Sequence, residues 1–169
     1  MNAVLSAWND ATPQEAFNAM LACCGARRWA EAMVTLRPIG GVLELSMAAD
    51  RVWSTMGEAD WMEAFACHPR IGERRPAHAP QKSVAWSKQE QSSTNSAAER
   101  VLAELAEGNA LYEKQFGFTY IVCATGKSTD EMLAILNRRL VSDRAAELLE
   151  AAEQQRQITQ IRLGKWLVE

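Results

Sequence analysis

Apolar residues in this chain return every three or four positions between recognisable helix caps, and that rhythm confines it to a helical fold. Thr12-Pro13-Gln14-Glu15 supplies a cap, a proline suited to the first helical position and a glutamate placed to close a capping box. Phe17, Met20, Leu21 and Cys24 follow on one face, and Gly25 ends the run. A second helix is predicted around Trp29, Met33 and Leu36, stopping at Pro38. A third follows Gly40-Gly41 through Val42, Leu45, Ala49 and Val52 or Trp53. A fourth carries Trp61, Ala64, Phe65 and His68, and Pro69 forces it to end there. Residues 69–86 read as a loop, and a loop of that length in a compact domain is more often functional than idle.

Ser87-Lys88-Gln89-Glu90 repeats the capping-box pattern ahead of a long helix bearing Val101, Leu102, Leu105 and Tyr112, which Gly117 closes. Ser128-Thr129-Asp130-Glu131 opens another with Met132, Ile135, Leu136 and Arg139, and Ser142-Asp143 opens the last, towards Trp166. Phe118 to Ala124 is the one β-like run. A sheet needs partner strands that nothing else supplies, so it reads as an extended buried connector. The expectation is an all-α chain, residues 1–169 forming a single compact helical-bundle domain of about seven to eight helices.

Several function classes are disfavoured by composition. A formal net charge of −3, with the doublets Arg27-Arg28, Arg74-Arg75 and Arg138-Arg139 scattered among acids, gives no nucleic-acid surface. No apolar run approaches the length needed to span a bilayer, and the N-terminus lacks the pattern of a signal peptide, so a cytoplasmic protein is expected. Cys23, Cys24, Cys67 and Cys123 form no C-x-x-C pair, and with His68 and His78 they show no zinc spacing. They read as reduced, mostly buried thiols, and no metal is expected.

Three residues carry chemistry. His68 sits at the rim of an apolar helix face in His68-Pro69-Arg70-Ile71-Gly72, where the backbone is constrained and the surroundings are partly desolvated. An imidazole there suits proton transfer, with one nitrogen for substrate and the other for an orienting group. Glu90 is the candidate orienter, although the third position after Ser87 is also where a capping box places glutamate. Ser87, Glu90 and Gln91 at a helix start could frame an anionic or amide-bearing ligand. Arg162 falls between Ile158, Ile161 and Trp166 on the apolar side of the last helix. It needs a partner there, either an internal acid or a substrate carboxylate or ureido group. Cys67 beside His68 invites a nucleophile reading as well. A helical binding module or sensor, or a related helical lyase or hydrolase, would fit much of the same pattern.

Taken in order, His-Pro-Arg-Ile-Gly at 68–72, Ser-x-x-Glu-Gln at 87–91, Phe116-Gly117-Phe118 and Ile161-Arg162-Leu163 resemble one family over nearly the whole chain. It is the 2-oxo-4-hydroxy-4-carboxy-5-ureidoimidazoline (OHCU) decarboxylases of urate breakdown. The resemblance implies an all-α carboxy-lyase, usually a homodimer, that converts OHCU to (S)-allantoin and carbon dioxide with neither metal nor organic cofactor. It gives His68 the catalytic proton-transfer role, makes Glu90 its support and has Arg162 help hold substrate. Pro69, Ser87, Glu90, Gln91 and the stretch Tyr120, Ile121, Val122, Cys123 and Ala124 would line the pocket. Thr119-Tyr120 stands where many members have proline and phenylalanine, and the peroxisomal tail of many eukaryotic members is absent, which suits a bacterial cytoplasmic form. Decarboxylation needs no nucleophile, which leaves Cys67 without a role.

Overall fold

The computed structural model describes residues 2–70, Trp86 and residues 99–169. Eight helices are described: α1 (Ala3–Asp10), α2 (Pro13–Cys23), α3 (Arg27–Thr35), α4 (Val42–Trp53), α5 (Glu58–Phe65), α6 (Glu99–Phe116), α7 (Thr129–Arg139) and α8 (Arg144–Trp166). No strand occurs among the described residues, so the all-α expectation holds.

Two predicted capping boxes form. Thr12 accepts from the Glu15 amide while the Glu15 carboxylate accepts from the Thr12 amide at 3.0 Å. Ser128 and Glu131 reciprocate in the same way, at 3.1 Å in each direction. The third box, at Ser87, lies outside the described residues. Gly117 closes α6 at φ +84°, a left-handed conformation that costs glycine nothing.

The first helix, α1, has no counterpart in the periodicity reading because it is short and its supports come from far along the chain. Asn2 caps it by accepting from the Leu5 amide, and the same side chain donates to the Leu167 carbonyl. At the other end Arg37 donates to the carbonyl of Trp8 at 2.7 Å, which also accepts from the Ala11 amide at 3.3 Å, and to the carbonyl of Ala11 at 2.8 Å, so one guanidinium closes the end of α1.

The longest element is α8, with 23 residues, or about 35 Å of helix. It packs against α2, α4, α5 and α6 and serves as the strut of the bundle. Five of the six tryptophans are buried in this chain's own core, and Trp61 is half-buried. Trp53 donates to Ala152 on α8 at 3.0 Å, and Trp8 meets Trp166 edge to face at 6.1 Å. Trp53 and Trp8 therefore tie α4 and α1 to the strut.

Residues 118–124 form the extended connector the sequence implies, with Phe118, Tyr120, Ile121, Cys123 and Ala124 buried and Val122 half-buried. A polar cluster fixes it from beneath. Arg139, at the end of α7, pairs with Glu147 on α8 at 2.9 Å and also donates to the Ile121 carbonyl. The Tyr112 hydroxyl donates to Glu147. That tyrosine is held protonated, since burial and then the adjacent carboxylate raise its pKa.

Candidate active site

Chain geometry at the end of α5 sets the position of His68. After Phe65 the helix tightens, with the Cys67 amide bonding to the Ala64 carbonyl at 3.2 Å and the His68 amide to the Phe65 carbonyl at 3.1 Å. Pro69 then removes the next donor and ends the turn. Arg70 reaches across to α6, where Glu113 accepts both ends of its guanidinium fork, from Nε at 2.7 Å and Nη2 at 2.5 Å. Those bonds hold the Glu113 carboxyl below the usual carboxylate range. The two residues after His68 thus lock the turn, one by ring geometry and one by a forked ion pair.

A second constraint comes from Gly25, in the α2–α3 turn. A methyl group there would meet Cys67 Sγ at 2.4 Å and Cys67 Cβ at 2.8 Å, too close to the α5 backbone for a rotamer change to relieve. Gly25→Ala is expected to cost about 1–3 kcal/mol through overpacking. Because the contact lies one residue from His68, activity should fall further than stability does. Urea unfolding and steady-state rates measured side by side check this; a variant matching the parent in both would remove Gly25 from the account of the site.

His68 Nε2 lies 2.6 Å from Gln155 Oε1, and among the described residues Nδ1 has no hydrogen-bond partner. Arg162, one per cent exposed, acts electrostatically on His68 and on the thiols of Cys24 and Cys67, which places all four in one neighbourhood. The residue His68 is half-buried. Burial first, and then the Arg162 guanidinium, push its imidazole down to about 3, against a smaller upward pull from the bond to Gln155. At neutral pH the ring is therefore uncharged. Burial also raises Cys24 to about 11 and raises Cys67, so neither thiol supplies a thiolate. All four cysteines are buried and none is in a disulfide.

The connector meets the same turn of α8. Gln154 Oε1 accepts from the Cys123 amide at 2.8 Å, one residue from the Gln155 that holds His68. Tyr120 turns the other way: its hydroxyl donates to the Met132 carbonyl at 3.0 Å, and Arg139 lies 5.0 Å over its ring. Its side chain belongs to the α7 packing. Pro69 adjoins His68 and is half-buried. Ser87, Glu90 and Gln91, and nearly all of the loop 69–86, lie outside the described residues.

A neutral amide, that of Gln155, holds Nε2 of His68; Glu90, the carboxylate expected to support the ring, lies outside the described residues. Gln155 and its neighbour Thr159 went unmarked in the sequence because glutamine and threonine on a Gln/Glu-rich helix read as solvated. The usable signal is spacing: Gln155, Thr159 and Arg162 share a face with Ala151, Ile158 and Trp166.

No group of three or more His, Cys, Asp or Glu suited to hold a metal occurs among the described residues. A neutral imidazole beside a buried guanidinium, both set by packed helices, is an arrangement suited to acid–base chemistry on an anion. A model of the OHCU decarboxylase family matches residues 9–164, and the chain belongs to that family.

Its relatives point the same way. It is 38% identical over 146 residues to an Arabidopsis thaliana uric acid degradation bifunctional protein, covering 85% of this chain and 44% of that one. The chain thus spans less than half of that plant protein. Against an Amia calva 2-oxo-4-hydroxy-4-carboxy-5-ureidoimidazoline decarboxylase, identity is 25% over 75% of this chain and 73% of the relative. A crystal structure of an OHCU decarboxylase in the presence of (S)-allantoin superposes with a TM-score of 0.75 at 34% identity, covering 90% of this chain and 99% of that one.

Proposed function

We propose that this protein decarboxylates OHCU to (S)-allantoin and carbon dioxide, with His68 as proton carrier, Glu90 as its support and Arg162 as an anchor for substrate. The observation that carries the reading is the neutral His68 imidazole, fixed at Nε2 beside the buried Arg162, within a chain of this family. In OHCU the departing carboxylate sits on a carbon next to a ring C=N bond, which takes the electron pair as carbon dioxide leaves. The substrate therefore contains its own electron sink, and the residues have protons to manage.

Loss of carbon dioxide leaves a ring nitrogen that takes one proton from water and an enol that must become the 4-oxo group. His68 Nδ1 accepts the hydroxyl proton of that enol and returns it to C5 on one face, which sets the handedness of allantoin. An uncharged resting imidazole suits such a relay because it starts without the proton it will carry. Arg162 aids the rate where it meets the charge growing on the ring; a clamp on the departing carboxylate alone would stabilise the ground state.

Pro69, Ser87, Gln91 and residues 120–124 complete the pocket on this reading, with Tyr120 contributing backbone. No organic cofactor or metal takes part. We read the protein as a cytoplasmic homodimer without nucleic-acid or membrane partners. The family resemblance, the net charge of −3 and the lack of a described helix long and apolar enough to cross a membrane support this.

The test is a circular dichroism time course on OHCU generated in the cuvette from urate by the two preceding enzymes. Growth of the (S)-allantoin signal far above spontaneous racemic decay is the expected result. A well-folded protein that leaves the decay unchanged would refute the assignment and favour a binding role for the same pocket.

A further inference from the structure

Beside His68 lies a short chain of buried polar groups. Gln155 has no solvent exposure and Thr159 has 5%. Gln155 Nε2 donates to Thr159 Oγ1 at 3.1 Å, while Gln155 Oε1 faces His68 Nε2 at 2.6 Å. The Thr159 hydroxyl also acts on the Cys24 thiol, opposing part of the rise that burial gives its pKa. All three partners of the ring's surroundings on this side, Gln155, Thr159 and Arg162, project from two successive turns of α8.

Donor inventory gives the chain a direction. An amide oxygen can only accept and an amide nitrogen can only donate. With the oxygen towards the ring, Nε2 must carry the proton, and the amide nitrogen must give its own to a hydroxyl oxygen. Thr159 remains free to donate onward to sulfur. A separation of 2.6 Å is short for nitrogen against nitrogen and suits nitrogen against oxygen. An uncharged amide orients the ring while favouring the imidazolium less than a carboxylate would.

We propose that Gln155 is a positioning residue for the reaction: its side-chain oxygen holds His68 as the Nε2–H tautomer, so that Nδ1 faces the substrate. Thr159 acts through Gln155 by fixing which end of the amide meets the ring. The catalytic part of this inference rests on the decarboxylase reading above; the tautomer does not.

Nitrogen-15 spectra of imidazole-labelled free protein report the tautomer directly, with the second histidine removed by His78→Gln. The wild-type ring should show a single Nε2–H state. Gln155→Met keeps length and loses the strong acceptor, so both tautomers should appear. In that variant kcat should fall a few-fold to roughly tenfold, the reach of one neutral hydrogen bond, with KM little changed. Thr159→Val should behave similarly and Thr159→Ser like the parent, which separates the hydroxyl from side-chain volume.

A wild-type ring resting as Nδ1–H would overturn the proposal. So would a Gln155→Met protein with one tautomer and parental kcat. A single Nε2–H state in a protein that does not turn over OHCU would sink the decarboxylase reading alone.

Discussion

His68→Ala is expected to lower the decarboxylation rate by roughly two to four orders of magnitude, the usual consequence of removing an essential acid or base. The helical circular dichroism should be retained, because His68 lies beyond the last helical residue of α5 and no helix depends on its side chain. A modest loss of stability should accompany the change. Gln155, itself fully buried, loses the ring partner of its Oε1, and an unsatisfied buried acceptor costs about 1–3 kcal/mol. In a chain of this size that amounts to several degrees in Tm. The two effects separate cleanly, since several degrees of Tm cannot produce a hundredfold loss at 25 °C. With the wild-type ring titrating near 3, protonation of His68 should leave no inflection in kcat/KM between pH 5 and 8. Parental turnover in His68→Ala, or a histidine-like inflection that vanishes in that variant, would contradict this account.

Legibility in the sequence followed the range of the interactions. The capping boxes at Thr12 and Ser128 use partners three residues apart, and both were readable. The end of α5 before Pro69 was readable for the same reason. Arg162 could be placed because an arginine on an apolar face stands out, and it is indeed buried. Gln155 and Thr159 occupy the same face but carry no charge, so nothing in the sequence distinguishes them from the half-buried glutamines Gln154 and Gln157 nearby. Pairings such as Arg70 with Glu113, 43 residues apart, depend on how α5 and α6 meet, which periodicity does not specify. Arg139 was expected on the inward face of its helix. What it meets there, a carboxylate beyond the next turn and the carbonyl of Ile121, required the fold.

Breaking that buried pair should have the largest effect on stability in the molecule. Arg139 and Glu147 are 5% and 2% exposed, and the carboxylate takes two bonds from Arg139 Nε and one from the Tyr112 hydroxyl. Glu147→Ala leaves a guanidinium with no counter-charge in a site walled by Tyr112 and Tyr120, whose rings lie 5.7 and 5.0 Å from it. The ring faces soften the loss but do not replace the carboxylate. Breaking one side of such a pair costs about 3–5 kcal/mol, which should lower Tm by about 6–20 °C. Activity at temperatures well below the transition should suffer less, because Glu147 stands two turns of α8 away from Gln155 and the connector meets α8 near the site through its Cys123–Gln154 bond. The matched double variant Arg139→Met with Glu147→Leu removes both charges and keeps the volume. It should recover most of the lost stability, since burying two ions is itself expensive. Thermal unfolding of the three proteins decides it. If the single variant melts within a degree or two of the parent, the pair contributes little; if the double variant melts as low as the single one, the cluster works through the hydrogen bonds to Ile121 and Tyr112 and not through charge balance.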